Sequence, residues 1–574
     1  MMDISDIERK IGDTRCVSFD IFDTLIIRPY VRPTDLFRHI ERLQDMDGFA
    51  ASRISAERQA RKRRPGEITL DEIYQEIDSR FKGMMDLEIR MEIDLALPNE
   101  DIRGLLQRLS AQGKRIILIS DMYLPEDVIR AMLDKCGIGY EGLYLSSAIG
   151  STKHDGSLFR YVLEDLGIDS GDLFHIGDNR HSDCNIPRSL GIKALRVERP
   201  IERYWSEHPD EHRFYNRTKS LERSIIVSMD MINGTSDNIW FDIGRRFGGP
   251  LTASFSISIN SNGSEDGLYL YASRDGYNIK RVSEKLYSDR KTEYVYTQRL
   301  ILGVLSENDL PYGRLELPSR VKDRYHYEKK VSAMRRILRF FRKELDLTVT
   351  GDDRKMQVFY NDHVDVIDGL RKTRLKQYTD YLIGMCQSSD IHLIDCTTMK
   401  FSSQRLMESV IGRKVKGHYL VVLSEGEDVQ YDTMCKWHYP VIGWGNVDVP
   451  EFFLCSPEYP LSGWDNGPVF DKDDRGDAYR VSIYDDVSDG ESDYAARYQS
   501  VFRGYMIPFD YWSVVKWSEL SVAGGTEYRR MMKRIMWASN PDHTDYVSLV
   551  TGSLDVRQIL RKIIYGAIDR INRE

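Results

Sequence analysis

Cysteine is scarce in this sequence, seven in 574 residues. The seven stand at positions 16, 136, 184, 386, 396, 435 and 455, with no CxxC pair among them. That excludes a CxxC metal or redox motif, and the odd, scattered set fits reduced thiols in a cytosol. No run approaches the roughly 18 apolar residues a membrane helix needs, so no membrane span is expected. The opening MMDISDIERKIGD has neither a basic n-region nor an apolar h-region. Secretion is therefore not expected, and the cytoplasm is the expected location. Positive charge is not in excess: 81 Lys and Arg against 90 Asp and Glu leave a formal net charge of −9. A general nucleic-acid coat protein is excluded on that balance, and no specific nucleic-acid partner is expected. Neither GxxxxGK nor GxGxxG occurs, so no nucleotide-binding fold is established by motif.

What is present is a soluble globular mixture, 41% hydrophobic and 30% charged, in a chain too long for one core. Residues 15–27, RCVSFDIFDTLII, read as a buried parallel strand ending in a polar turn. Residues 30–98 turn helical and charged, and the TLDE at 69–72 reads as a capping box. Strands RIILIS, GLYLSS, DLFHIG and KALRV then alternate with amphipathic helices to residue 200. Such alternation predicts a parallel sheet covered on both faces, interrupted after its first strand by an all-helical insert. Residues 201–245 read as a helical connector, 246–470 as a second α/β-like domain and 471–497 as an acidic linker. Residues 498–574 read as a helical C-terminal region.

In an open parallel sheet, ligands bind where the strands end and the loops converge. The first strand ends in Asp20, with Asp23 and Thr24 just beyond, and the next in Ser120 and Asp121. Lys153 lies shortly before a helix; DLFHIG ends in Asp178, with Asp183 five residues on. A nucleophile, hydroxyl donors, one lysine and several carboxylates in one crevice suit phosphoryl chemistry. Carboxylates hold Mg²⁺, the metal and lysine neutralise phosphoryl charge, and a carboxylate can attack in line.

FDIFDTL, IILISD, the isolated Lys153 and HIGDNRHSD resemble, in order and spacing, the four motifs of the haloacid dehalogenase superfamily. The likeness covers residues 15–197, with the helical insert where that family places a cap. It implies a Rossmann-like core over 1–29 and 99–200, a cap over 30–98, and a hydrolase acting on a small phosphorylated substrate. It also implies Asp20 as nucleophile and Mg²⁺ ligand, and the Phe22 backbone carbonyl as a second ligand. Thr24 and Ser120 would hold phosphoryl oxygens, Lys153 would balance charge, and Asp178 would ligate the metal. Asp183 would ligate it or orient its water. Phosphatases of the family carry a second aspartate two residues after the nucleophile as acid and base; Phe22 stands there, with Asp23 one position later. General acid–base help is worth about 10²–10⁴ in rate, so its loss favours good leaving groups such as acyl phosphates. Asp23 substitutes only if an irregular backbone turns it inward. Dehalogenase members also lack the second aspartate but act without metal, and the Asp178/Asp183 pair favours a metal-using site. FDIFDTLIIRP, SDMYLP and RDGY resemble, to about residue 460, a subgroup found in cell-surface polysaccharide gene sets, which points to a sugar-phosphate or sugar-nucleotide substrate.

Each candidate has a plainer reading. Arg28, Arg53 and Glu57 form either a substrate-recognition set at the cap–core cleft or an ion-paired helix face. Asp121 reads as a capping or cap-contact residue at the substrate's edge. In the second region Arg274 and Asp275 either face a ligand or form an ordinary Asp-Gly turn. Asp395 opens LIDCTTMKFSS, a hydroxyl-rich loop suited to anion binding or to simple N-capping. DKDDRGD at 471 lacks the closing Glu of a calcium loop and is rejected. The basic helix near 335 reads as a solvated face or a partner for the chain's own acids. Two rivals to a phosphohydrolase stand: a binding module with a vestigial site, and a transferase whose activity lies in residues 246–470.

Overall fold

A computed structural model describes residues 4–63, 66–297, 299–307, 309–320, 323–347, 351–398, 400–423, 426–436, 448–470, 476–523, 526–538 and 546–550. The chain forms two compact units: Met1–Gly234 with Tyr498–Ile507, and Thr235–Arg497 with Pro508–Glu574.

The first unit is built on β1 (Cys16–Phe19), β2 (Ile26–Ile27), β3 (Leu97–Pro98), β4 (Arg115–Ser120), β5 (Gly142–Leu145), β6 (Leu173–Gly177) and β7 (Lys193–Arg196). Five of these form one parallel sheet in the order β5-β4-β1-β6-β7. The central strands are buried on both faces, as crossover connections that lay helices over a parallel sheet require. Strands β4 and β5 are added on one side of β1 and β6 and β7 on the other, so the ends of β1 and β6 flank a switch point where a crevice opens.

Between β2 and β3 lie the inserted helices Asp35–Gln44, Phe49–Arg63, Leu70–Glu76 and Met85–Asp94, with a 3₁₀ turn at Ser79–Met84. The expected capping box is formed, Thr69 and Glu72 satisfying each other's backbone N–H groups. The insert is not purely helical at its roots, because β2 and β3 pair antiparallel, Ile26 with Pro98 and Ile27 with Leu97. The presumed connector is part of this unit. Its helix Leu221–Asn233 meets the insert through Arg42–Glu222 at 2.6 Å and the Val31 N–H donating to Ser224 at 2.8 Å. Residues 498–507 return to the same unit. There Phe502 lies against Tyr30 and His39, and Tyr505 donates to Asp94 at 2.8 Å.

The second unit carries β8 (Leu268–Ala272), β9 (Lys291–Val295), β10 (Ile391–Thr398), β11 (Lys416–Val422) and β12 (Gln430–Lys436). All are parallel, in the order β12-β11-β10-β8-β9. A short antiparallel pair, β13 (Leu461–Trp464) and β14 (Pro468–Phe470), follows. The basic helix Arg324–Phe340 pairs with the chain's own acids, Arg336 with Asp309 at 2.8 Å and Arg335 with Asp353.

Two expectations need correction. The supposed acidic linker contains the long helix Ala478–Val501. Its Gly490 is a contact, not a hinge: a Cβ there would fall 2.0 Å from the Phe241 carbonyl oxygen. Gly244 meets the Val487 carbonyl in the same way, so the two glycines let two helices approach backbone to backbone. The C-terminal region is helical at Tyr511–Ser518 and Glu527–Met532, but β15 (Met536–Ala538) and β16 (Tyr546–Ser548) form an antiparallel ribbon. Residues 471–475 of the rejected calcium loop and the tail beyond 550 lie outside the described residues.

Candidate active site

Three strand ends, one turn and the loop that carries Lys153 supply the site in the first unit. Asp20 follows β1, its N–H bonded to the Ile176 carbonyl of β6 at 2.8 Å. Ser120 closes β4, Asp178 follows β6, and Asp183 sits in the turn Arg180–Asn185. Asn179 holds that turn, its side chain accepting the His181 and Ser182 N–H groups. Gly177 lets Asp183 fold back over β6, since a Cβ there would lie 2.4 Å from the Asp183 Cγ.

Lys153 bridges two carboxylates, its Nζ 2.5 Å from Asp20 Oδ1 and 2.6 Å from Asp183 Oδ1. Ser120 and Thr24 donate to Asp20 at 3.3 and 3.4 Å. Carboxylate oxygens of Asp20, Asp178 and Asp183 lie within 4.8 Å of one another, the one such acidic group among the described residues. Burial drives the Asp20 carboxyl above its ordinary range; Asp183 and Asp178 add to this, and Lys153 opposes it. Asp178 is pushed up to about 6, first by burial and then by Asp23 and Asp183. Burial opposes ionisation of Asp183 too, but Lys153 and His175 hold it below the carboxylate range. Crowded oxygens whose charges raise one another's pKa are a donor set that fits a hard divalent cation.

Asp23 has the irregular backbone that inward orientation demands, a left-handed φ of 58°. Its N–H bonds the Ile26 carbonyl at 2.8 Å, and its charge acts on Asp178, Arg28 and Arg199. Phe22 lies beneath the Arg28 guanidinium, 4.4 Å from the ring centroid.

Several expected substrate contacts are otherwise engaged. Arg28 is bonded to Glu92 at 2.7 and 3.1 Å, and the pair is buried. Arg53 is completely buried, bonded to Glu88 at 2.8 Å and Glu57 at 3.2 Å and stacked over Phe37. A desolvated guanidinium demands such partners, and each of these arginines finds them among the acids of the insert. Asp121 accepts the Lys153 and His154 N–H groups at 2.7 and 3.2 Å, positioning the lysine loop. Arg274, Asp275 and Asp395 belong to the second unit and are not members of the Asp20 cluster. Arg274 lies 3.8 Å from Asp477, and Asp395 accepts the Cys396 N–H at 2.8 Å. Thr398 accepts the Phe401 N–H at 2.9 Å, a turn of the capping type.

Sequence reasoning missed Ser18, His175 and Arg199. His175 Nε2 lies 3.2 Å from Asp183, its Nδ1 lies 2.8 Å from Ser18 Oγ, and Arg199 is 3.9 Å from Asp178. The available signal was a polar residue in each of two strands that otherwise read as apolar.

Residues 14–186 match the family described as haloacid dehalogenase-like hydrolase. Among solved structures, a defluorinating L-2-haloacid dehalogenase is 17% identical, covering 33% of this chain and 83% of its own, with a TM-score of 0.28. An L-2-haloacid dehalogenase from Xanthobacter autotrophicus is 15% identical, covering 32% of this chain and 77% of its own, at 0.25. A HAD phosphatase from Thermococcus onnurineus is 18% identical, covering 32% and 86%, at 0.25. The comparison with curated proteins gave no match. With its parallel sheet, inserted helices and carboxylate cluster, the N-terminal part of this chain is a haloacid dehalogenase-like hydrolase domain.

Proposed function

We propose that this domain is a Mg²⁺-dependent phosphohydrolase acting on a small phosphorylated metabolite. The observation that carries the reading is the convergence of three carboxylates with a lysine bridging two of them. Asp20, Asp178 and the Phe22 carbonyl would hold the cation, Asp183 directly or through water; when bound it would neutralise phosphoryl charge and orient the group for in-line attack. An Asp20 oxygen attacks phosphorus as the bond to the leaving oxygen breaks, giving an aspartyl phosphate. Thr24 and Ser120 donate to phosphoryl oxygens, and Lys153 offsets their charge. Water then attacks the same phosphorus, inorganic phosphate departs and Asp20 is restored. Asp23, turned by its left-handed backbone, gives a proton to the leaving oxygen and takes one from the water.

Phe22 at the usual acid position leaves proton transfer to the displaced Asp23, so acyl phosphates and anhydrides, whose leaving groups need little protonation, are the favoured substrates. The resemblance of FDIFDTLIIRP, SDMYLP and RDGY supports a sugar phosphate or sugar nucleotide, handled in the cytoplasm. A second reading, a binding module without turnover, draws on the same Phe22 and on the Arg28 that covers it. Acetyl phosphate hydrolysis with and without Mg²⁺ separates the two. The wild type should turn over only with the metal, and Asp20→Asn should abolish the activity. Equal activity in the Asn variant would remove Asp20 as nucleophile, and an inert, folded wild type would favour the binding module.

A further inference from the structure

Beneath the carboxylate cluster lies a polar pair that the reaction scheme does not use. Ser18 on β1 and His175 on β6 are register partners on adjacent parallel strands. Strand periodicity sets them on the same face as Asp20 and Gly177, one step below. Their surroundings on that face are apolar: Cys16, Ile117, Ile119, Leu173 and Phe159 form one buried cluster, with Phe159 edge-on to the imidazole at 5.0 Å. Both Ser18 and His175 are fully buried. A hydroxyl and an imidazole in such a layer are costly unless each finds a partner.

Each does. His175 Nε2 faces Asp183 Oδ1 at 3.2 Å, and its Nδ1 faces Ser18 Oγ at 2.8 Å. A nitrogen facing a carboxylate oxygen must carry the hydrogen, so the Nε2–H donates to Asp183. The neutral ring then has its lone pair at Nδ1, which accepts the Ser18 hydroxyl. Ser18 thus fixes the tautomer and His175 fixes the carboxylate. Asp183 is further held by Lys153 on Oδ1 and by the Asn179 N–H on Oδ2 at 2.9 Å, with Gly177 leaving room for it.

We propose that Ser18 and His175 are positioning residues that aim Asp183 at the divalent cation, an inference that rests on the metal-dependent reading above. Partners behind a metal-binding carboxylate tune affinity as the ligands themselves do. The experiment is calorimetric Mg²⁺ binding by the full chain, with folding checked by circular dichroism. His175→Leu, which removes the donor, should weaken binding about 10–100-fold. His175→Gln, which keeps an N–H toward Asp183, should stay within about threefold of wild type, and Ser18→Ala should fall between the two. A folded His175→Leu protein that binds Mg²⁺ like wild type overturns the inference, as does a Gln variant as weak as Leu. Should His175→Leu not fold, Ser18→Ala decides: unchanged affinity contradicts the proposal and weakened affinity supports it. Absence of Mg²⁺ binding in the wild type is a separate result that removes the metal-dependent reading itself.

Discussion

Asp178 is half-buried beside two other carboxylates, and without a cation it is pushed up to about 6 by burial, Asp23 and Asp183. Asp20 is raised for related reasons. Protons and Mg²⁺ therefore compete for these oxygens. Affinity should climb as pH rises through about 6, and binding near that pH should release protons into the buffer. Titrations in two buffers of different ionisation enthalpy measure that release directly; a pH-independent affinity would contradict the account. Asp20, Ser120 and Asp178 were legible in the sequence because each is a polar residue at or just past an apolar strand, where a parallel sheet gathers its loops, and Asp183 because it follows in the same loop. Ser18 and His175 were not, since a polar residue inside a strand gives no hint of what lies across from it. Arg28 and Arg53 were ambiguous for the same reason: their partners Glu92 and Glu88 lie far along the chain.

At the level of elements, the inserted helices carry a fully buried ion pair, Arg53 with Glu88. Removing one partner strands the other charge, so Arg53→Ala should cost about 3–5 kcal/mol of stability in chemical denaturation. Replacing both with apolar residues, Arg53→Met with Glu88→Leu, should recover most of that loss. The helix Ala478–Val501 shows where local reading fails. Its acids and Gly490 resemble a linker, yet the glycine serves a close helix crossing and Glu491 is fully buried. Burial raises the Glu491 carboxyl well above its ordinary range. A raised folded pKa means that this group's contribution is intact below the unfolded value and is lost as pH rises, by about 1.4 kcal/mol per pH unit. Glu491→Gln has no proton to lose. Its stability advantage over wild type should therefore widen from pH 5 to pH 8 in urea denaturation, and a constant gap would refute the assignment.

For the molecule as a whole, alternating strands and helices announced the parallel sheet of the first unit, where handedness and connection rules leave few strand orders, whereas residues 246–470 read only as α/β-like. What no local pattern announced is the return of residues 498–507 to the N-terminal unit. Phe502 is fully buried there against Tyr30 and His39, at the root of the inserted helices. Phe502→Ala should destabilise the hydrolase domain by about 3–5 kcal/mol, although the substitution lies far from it in sequence. Hydrogen exchange should speed up over residues 30–40; unchanged protection there would deny the brace. No helix among the described residues is long and apolar enough to cross a membrane.

As proposed, an Asp20 oxygen accepts the phosphoryl group to form a covalent aspartyl phosphate. The most direct test of that step is mass spectrometry of the protein mixed with acetyl phosphate and Mg²⁺ and quenched in acid. A phosphoryl adduct on the peptide carrying Asp20, absent from Asp20→Asn and from a reaction without metal, is the predicted result. Turnover with no adduct on that peptide, or an adduct that survives in the Asn variant, would contradict it.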